Sequence, residues 1–258
     1  GAARVSGGKV RGAAAMRADC ECATNCVVSI NSSQLWSRGC SQYAETPAAT
    51  RTHGFTSPKI LTVLARCNDI SYYVAISDAD RHESLDYAAT IHHGIDMREF
   101  QVGSAPREYL LFFGRIHPDK GTVEAIDVAE RVGLPLVIAG IVQDEEYYKK
   151  LVAPRVDGER VTYVGPVGPE RRGELLGGAQ ALLHLVNFDE PYGFSVVEAM
   201  ACGMPVIANA RGSMLELIRP GENGSLVSSL DEAVSAVDAV VGLYNDAVRE
   251  SVVHRCDV

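Results

Sequence analysis

Apolar runs of four to six residues alternate with longer segments of helical spacing from about residue 105 to the end of the chain. The apolar runs predict six buried strands, over residues 109–113, 134–139, 161–164, 181–186, 205–208 and 225–227. The segments beside them predict helices over 122–132, 145–152, 169–176, 214–218 and 230–242, and a further helix after Gly193. Strands that alternate with helices in this way form a parallel sheet covered on both faces. This region is therefore predicted to be one complete, doubly wound α/β domain.

The first part of the chain shows a weaker pattern, which divides near residue 46. Gly, Ala, Ser and Arg dominate residues 1–45, and we expect this stretch to be poorly ordered. The pattern then predicts a strand and loop over 47–54, a helix over 58–66, a strand over 71–76, a short helix from Ser77 that carries Arg81, and a strand and turn over 89–96.

Two carboxylates eight positions apart, Glu190 and Glu198, flank the turn between the fourth predicted strand of this domain and the helix after Gly193. Glu190 is expected in the loop, and Glu198 about one turn into the helix, which ends at Gly203. The start of such a helix attracts anions, and the carboxyl edge of a parallel sheet is where these folds bind ligands. A carboxylate beside an anion site suggests a hydroxyl-rich ligand such as a sugar.

Both acids also have an ordinary structural explanation. Ser195 and Glu198 fit a capping box, in which Glu198 would reach back to the start of the helix. Glu190, just before Pro191, would then be a solvated loop acid. The pair alone leaves these alternatives open.

Two cations are predicted at the same edge of the sheet. Arg115 follows the first strand of this domain closely, and Lys120 lies five residues later, just before the next helix. Guanidinium and ammonium groups suit phosphate oxygens, although solvated surface positions are the alternative. His53, on a Gly-bearing loop, is a candidate for a hydrogen bond to a substrate hydroxyl. His184, within an apolar strand, is predicted to be a packed core residue.

The composition narrows the class of protein. The chain has 258 residues, of which 47% are hydrophobic and 22% charged, and its formal net charge is -9. These values are typical of a globular protein and argue against a nucleic-acid partner. No apolar run is long enough to span a bilayer and no signal-peptide pattern opens the chain, so we expect no transmembrane segment and a cytoplasmic location.

Four of the seven cysteines, Cys20, Cys22, Cys26 and Cys40, cluster near the start of the chain. Their spacing matches no zinc pattern and no histidine lies nearby, so we predict no metal site. Cys202, in an apolar context, is predicted to be a buried free thiol, as is Cys67.

Several loop sequences closely resemble retaining glycosyltransferases of family 4, the group 1 type. The strongest matches are FGRIHPDKG at 113–121 and EPYGFSVVEAMACGMPVI at 190–207, where seven residues separate two glutamates. Shorter matches extend the resemblance over roughly residues 46–258, and they are THG at 52–54, AISDADR at 75–81, IHHGID at 91–96, RGSMLE at 211–216 and GENG at 221–224.

The resemblance implies an α/β fold of the GT-B type, which has two Rossmann-like domains. Residues 105–258 would be the complete C-terminal domain that binds the nucleotide sugar, lacking its final crossing helix. Residues 46–104 would be the end of the N-terminal, acceptor-side domain, and thus an incomplete remnant of it. Residues 1–45 match nothing in the family.

The resemblance also implies a role for each matching residue. Arg115 and Lys120 would hold the donor diphosphate. Glu190 and His53 would be the catalytic residues that contact the donor sugar, and Glu198 would bind the ribose hydroxyls. The remaining contacts would come from four residues around the phosphates, Gly193, Phe194, Ser195 and Val196, and from three near the base, Tyr163, Val164 and Val167.

The expected function is transfer of a sugar, with retention, from a UDP-, GDP- or ADP-sugar to an acceptor that the sequence does not define. No metal or other cofactor is implied. Two alternatives remain. The chain would be a non-catalytic fragment that binds sugar nucleotides, since most of the acceptor side is not recognisable, or a GT-B enzyme that isomerises sugars.

Overall fold

The computed structural model describes residues 28–31, 48–51, 58–66, 68, 72–103, 107–243 and 245–256. The chain divides into two compact units. The first comprises residues 1–76 and 80–91, and the second comprises residues 77–79 and 92–258. The division near residue 92 lies before the boundary at 105 that the sequence predicted.

The first unit contains a parallel sheet of four strands in the order β1-β2-β3-β4. Its elements are β1 (Val28–Asn31), β2 (Ala48–Arg51), α1 (Pro58–Ala65), β3 (Tyr72–Ala75) and β4 (Tyr87–Thr90). Leu64, Tyr73 and Leu85 form a small buried cluster, in which the Tyr73 hydroxyl donates to the Leu64 carbonyl at 2.8 Å. Strand β1 lies in the stretch for which the sequence predicted no element.

The second unit carries six strands and their helices. The strands are β5 (Tyr109–Phe113), β6 (Leu136–Ala139), β7 (Val161–Gly165), β8 (Ala179–His184), β9 (Val206–Asn209) and β10 (Gly224–Val227). The helices are α2 (Thr122–Val132), α3 (Glu145–Tyr147, continued by a π-helical turn over Tyr148–Val152), α4 (Pro169–Gly177), α5 (Phe194–Ala201), α6 (Met214–Leu217), α7 (Leu230–Val241) and α8 (Asn245–Cys256).

All neighbouring strands of this sheet are parallel, in the order β10-β9-β8-β5-β6-β7. The chain starts in the middle at β5, builds outwards to β7, crosses back to β8 and builds outwards in the opposite direction. The order therefore reverses between β5 and β8. Loops that leave these two neighbours at their carboxyl ends diverge and open a crevice, where sheets of this kind bind ligands.

Apolar side chains cover both faces of the sheet. Leu110 and Leu111 are consecutive residues of β5, so their side chains point to opposite faces, and both are 0% exposed. Burial on both faces explains why the strands are continuous apolar runs rather than alternating patterns. The predicted sheet of one doubly wound domain is confirmed.

Turns replace the short helix that was predicted from Ser77. The backbone N–H groups of Asp78 and Ala79 donate to the two carboxylate oxygens of Glu216, at 3.0 and 2.8 Å. These two hydrogen bonds tie the segment to α6, which carries Glu216. The prediction of a helix here was wrong, and Glu216, which accepts from Ala79, lies 137 residues away, where the local pattern does not show it.

Helix α8 was not predicted. Its buried residues Val248, Val252 and Cys256 form a narrow line spaced by four, and polar and apolar positions segregate only weakly around the helix. Tertiary contacts hold it instead. The Arg249 guanidinium donates to the carbonyls of Ala201, Met97 and Phe100, the last two at 3.0 and 2.6 Å.

Candidate functional site

The loops that follow β5 and β8 are tied together at the crevice where the strand order reverses. The Asn187 N–H donates to the Asp119 carbonyl at 2.8 Å, and the Asn187 side chain donates to the Glu124 carboxylate at 3.1 Å. Gly121 lies against the backbone of Leu185, with no room for a side chain. The last residues of the loop that follows β5 therefore pack directly against the end of β8.

We expect Gly121→Ala to lower the free energy of unfolding more than Gly133→Ala. Both glycines have φ of +74°, where alanine costs about 1–2 kcal/mol. A Cβ on Gly121 would lie 2.1 Å from the Leu185 carbonyl oxygen, whereas at Gly133 no described atom lies within 4 Å. The overlap should add about 1–3 kcal/mol. Denaturant unfolding of both variants measures the difference, and equal losses would contradict the close approach.

Lys120 and Glu190 meet across this crevice. Lys120 Nζ lies 2.5 Å from Glu190 Oε2, and their side chains are only 14% and 15% exposed. The ammonium group also lies over the ring of Phe188, 4.5 Å from its centroid. An ion pair this sheltered from water is stronger than a surface pair. Lys120 carries further N–H donors, so it can hold Glu190 and a phosphate oxygen together.

His184, the last residue of β8, lies beside this pair. Its side chain is 7% exposed, and Nε2 is 4.0 Å from Glu190 Oε2. Among the described residues, Nε2 has no hydrogen-bond partner. Burial and the nearby charge of Lys120 lower the pKa of His184 to about 3, so the imidazole is neutral at physiological pH. The predicted core position is confirmed, and the ring also borders the candidate site.

Acid should destabilise the fold through His184. The unfolded chain takes up the proton near the ordinary pKa of 6.5, but the folded protein does so only near 3. Stability therefore falls as the pH drops between these values, by about 2 kcal/mol at pH 5. We expect His184→Phe to lose about 2 kcal/mol less than the wild type between pH 7.5 and 5 in denaturant unfolding. Equal losses would show that the imidazole is not held neutral.

The loop over 211–213 supports Glu190 from the other side. The Ser213 N–H donates to the Glu190 carbonyl at 2.9 Å, and the Ser213 hydroxyl donates to the Tyr192 carbonyl at 2.8 Å. Gly212 has φ of +54°, and a Cβ there would lie 2.5 Å from the backbone of Glu190. The backbone that carries Glu190 is thus fixed by its neighbours rather than by its own sequence.

Helix α5 begins at the same crevice. Its cap is Gly193, with φ of +86°, and the Val196 N–H donates to the Gly193 carbonyl at 3.0 Å. Phe194 is 48% exposed, and its ring stacks on that of His93 with centroids 4.8 Å apart. The positive end of the α5 dipole therefore points to the edge of the sheet that carries Lys120.

Glu198 lies in the second turn of α5, with its side chain 13% exposed. Its Oε1 accepts from Nη1 of Arg172 at 2.9 Å, so Glu198 does not reach back to form the capping box that was the alternative explanation. Burial raises the pKa of Glu198, and the guanidinium of Arg172 opposes that rise. A buried carboxylate placed away from the helix start needs a different explanation from capping.

A sequence model of the family "Glycosyl transferases group 1" matches residues 96–251, which is more than half of the chain. The chain belongs to this family.

Relatives with known names agree with the family. A D-inositol 3-phosphate glycosyltransferase of Mycobacterium marinum is 29% identical over 58% of this chain and 36% of its own length. A phosphatidyl-myo-inositol mannosyltransferase of Mycobacterium leprae is 29% identical over 69% of this chain and 51% of its own length. The chain thus spans between a third and about half of these relatives.

Solved structures agree on the fold. HepE of Anabaena, in complex with UDP and glucose, is 20% identical over 89% of this chain and 74% of its own, with a TM-score of 0.74. A glycosyltransferase of Rickettsia africae is 14% identical over 98% of this chain and 80% of its own, with a TM-score of 0.76. The predicted α/β fold of the GT-B type is confirmed.

The structure brings some predicted residues of the group 1 site together and leaves others apart. Lys120 and Glu190 are in contact. Arg115 is exposed, and its Nη1 donates to Gln143 Oε1 at 2.5 Å, so it lies towards the β6 side of the crevice. His53 lies outside the described residues.

The three residues predicted near the base lie at and just beyond the end of β7. The Tyr163 hydroxyl donates to the Gly140 carbonyl at 2.9 Å, and its ring lies 5.3 Å from that of Tyr148. That ring therefore packs towards the core. Val164 and Val167 are partly buried. Unlike Tyr163, these two valines take part in neither of these contacts.

Sequence reasoning missed Arg172 as a member of the site. Arg171 and Arg172 occupy the first turn of α4, where acidic residues are favoured and basic ones oppose the helix dipole. That anomaly was a signal that one of them has a partner elsewhere.

Two further findings concern metal binding and membrane-spanning helices. Among the residues that the structure describes, no three His, Cys, Asp or Glu side chains are grouped to hold a metal ion, and no described helix is long and apolar enough to cross a membrane. The cysteine cluster at 20–40 and Cys67 lie outside that part of the chain. Cys202 is a buried free thiol, as predicted.

Proposed function

We propose that this chain provides the donor site of a retaining glycosyltransferase of the cytoplasm, which takes a sugar from a UDP-, GDP- or ADP-sugar. The observation that carries the proposal is the sheltered contact between Lys120 and Glu190 at the point where the strand order reverses. It combines a cation for phosphate with a carboxylate for hydroxyls in one crevice.

The proposed roles of the cationic groups follow from the charge that develops on the diphosphate during the reaction. When the bond between the sugar and the diphosphate breaks, negative charge grows on the diphosphate. Lys120, Arg115 and the start of α5, at Gly193, Phe194, Ser195 and Val196, stabilise that charge. These groups supply positive charge without a metal ion, so the proposal requires none.

Two carboxylates position the remaining parts of the donor. Glu190 accepts hydrogen bonds from hydroxyls of the sugar, and Glu198 accepts them from the ribose. The base lies near Val164 and Val167, at the end of β7. His53 contributes to the sugar site in the proposed whole enzyme.

Comparisons support the chemical class of the donor. HepE was crystallised with UDP and glucose and also with UDP-glucose. The UDP and UDP-glucose bound by HepE favour a nucleotide-sugar donor for the present chain.

Calorimetric titration with UDP, GDP and ADP, each beside its nucleoside and without metal, tests the proposal. We expect one diphosphate to bind at least about 100-fold more tightly than its nucleoside, because two cations contact the diphosphate. Binding of none of the three would overturn the proposal. Binding without any hydrolysis of the matching nucleotide sugar, in which water would accept the sugar and the nucleoside diphosphate would leave, would favour the non-catalytic alternative.

A further inference from the structure

Arg172 occupies an unfavourable place in its own helix. It is the fourth residue of α4, which begins at Pro169 just after β7, and a cation there opposes the helix dipole. Its side chain is nevertheless only 21% exposed. Something outside the helix must therefore stabilise it.

Three groups surround the guanidinium. Nη1 donates to Glu198 Oε1 at 2.9 Å, and Nη2 lies 3.4 Å from Glu99 Oε2. The guanidinium carbon lies over the ring of Phe100, 4.9 Å from its centroid. Contacts on several sides hold Arg172 in one orientation, and that orientation fixes the carboxylate of Glu198.

The contact uses one oxygen of Glu198 and leaves the other available. Within the part of the chain that the structure describes, no side chain or backbone group donates to Glu198 Oε2. An ionised carboxylate in such a sheltered place is a strong hydrogen-bond acceptor. Burial and Glu99 both raise the pKa of Glu198, and Arg172 counteracts them and favours the ionised form.

We propose that Arg172 is a positioning residue for ribose recognition, which orients Glu198 so that its free oxygen accepts from the ribose hydroxyls of the donor. This inference rests on the proposed function, in which Glu198 binds ribose. It predicts that Arg172 governs the preference for a ribonucleotide over an analogue without ribose hydroxyls.

The test compares two ligands on each protein. The nucleoside diphosphate that binds the wild type and its 2′,3′-dideoxy analogue are titrated into wild type, Arg172→Met, Arg172→Lys and Arg171→Met. Methionine keeps an unbranched apolar side chain and removes the charge, whereas lysine keeps the charge. Arg171 is the matched control, since it is an exposed arginine in the same turn.

We expect the wild type and Arg171→Met to prefer the ribonucleotide by about 10- to 100-fold, the effect of hydrogen bonds to a charged acceptor. Arg172→Met should reduce this ratio to about 3-fold or less, and Arg172→Lys should retain an intermediate ratio. If Arg172 had only a structural role, Arg172→Met would lower the affinity for both ligands equally. The ratio of the two affinities would then stay unchanged, even if part of the sample were unfolded.

Two negative results have different meanings. If the wild type prefers the ribonucleotide and Arg172→Met keeps the full preference, the inference about Arg172 is overturned and the proposed donor site stands. The inference also fails if the wild type binds both ligands equally, because Glu198 then does not contact the ribose. Binding of neither ligand would overturn the proposed function itself.

Discussion

Lys120→Met is expected to weaken binding of the nucleoside diphosphate by about 2–5 kcal/mol, which is roughly 30-fold to several-thousand-fold. The Lys120 side chain is 14% exposed, so the attraction of its ammonium group to a diphosphate is poorly screened by water. Affinity for the nucleoside should change little, because the base and ribose contact other loops. Calorimetric titration with both ligands measures the difference.

Two controls separate this effect from loss of the fold. Lys149→Met removes a lysine that is 72% exposed, and it should leave both affinities unchanged. The double variant Lys120→Met/Glu190→Gln removes both charges of the pair and avoids an unpaired buried carboxylate. It should fold and still bind the diphosphate weakly. Equal loss of nucleoside and diphosphate affinity in Lys120→Met would argue against a phosphate contact.

Glu190→Gln should have the opposite effect on binding and a large effect on turnover. The variant removes a negative charge 2.5 Å from Lys120, so affinity for the nucleoside diphosphate should stay the same or rise. Hydrolysis of the matching nucleotide sugar, in which water accepts the sugar and the nucleoside diphosphate leaves, should slow by about 100- to 1,000-fold, as for loss of a group that acts in the transition state.

The neighbouring acid provides the control. Asp189 carries the same charge in the same loop, but its side chain is 69% exposed. Asp189→Asn should therefore leave both turnover and binding near those of the wild type. If Glu190→Gln kept full turnover, or lost diphosphate affinity as Lys120→Met does, Glu190 would not be the residue that contacts the sugar.

The alternation of apolar runs and helical segments was enough to predict the sheet of the second unit. A parallel sheet buried on both faces requires that alternation, so the pattern has few other solutions. It also placed Lys120 and Glu190 correctly at the carboxyl edge. Their direct contact was not predictable from the pattern, because it depends on the reversal of strand order between β5 and β8.

Features fixed by distant partners escaped prediction. The turn after β3 donates two backbone N–H groups to Glu216, which is far away in the sequence. Helix α8 is held through its own Arg249, which donates to three carbonyls in two other segments, around residues 97–100 and at Ala201. In both cases the group at the other end of the contact lies outside the element, so the local pattern of that element does not show it.

The site shows the same limit. Arg172 lies 26 positions before Glu198, and only its unfavourable place in α4 hinted at a partner. His184 has an apolar sequence context that indicated burial correctly. That context did not indicate that Lys120 and Glu190 lie beside the imidazole ring, because the fold brings them there.

A crystal structure with the nucleoside diphosphate that binds would test most directly whether the crevice between β5 and β8 is the donor site. The proposed function predicts a phosphate oxygen about 3 Å from Lys120 Nζ, with the ribose at Glu198 and the base at the end of β7. A nucleotide bound elsewhere, or one whose phosphates turn away from Lys120, would contradict it.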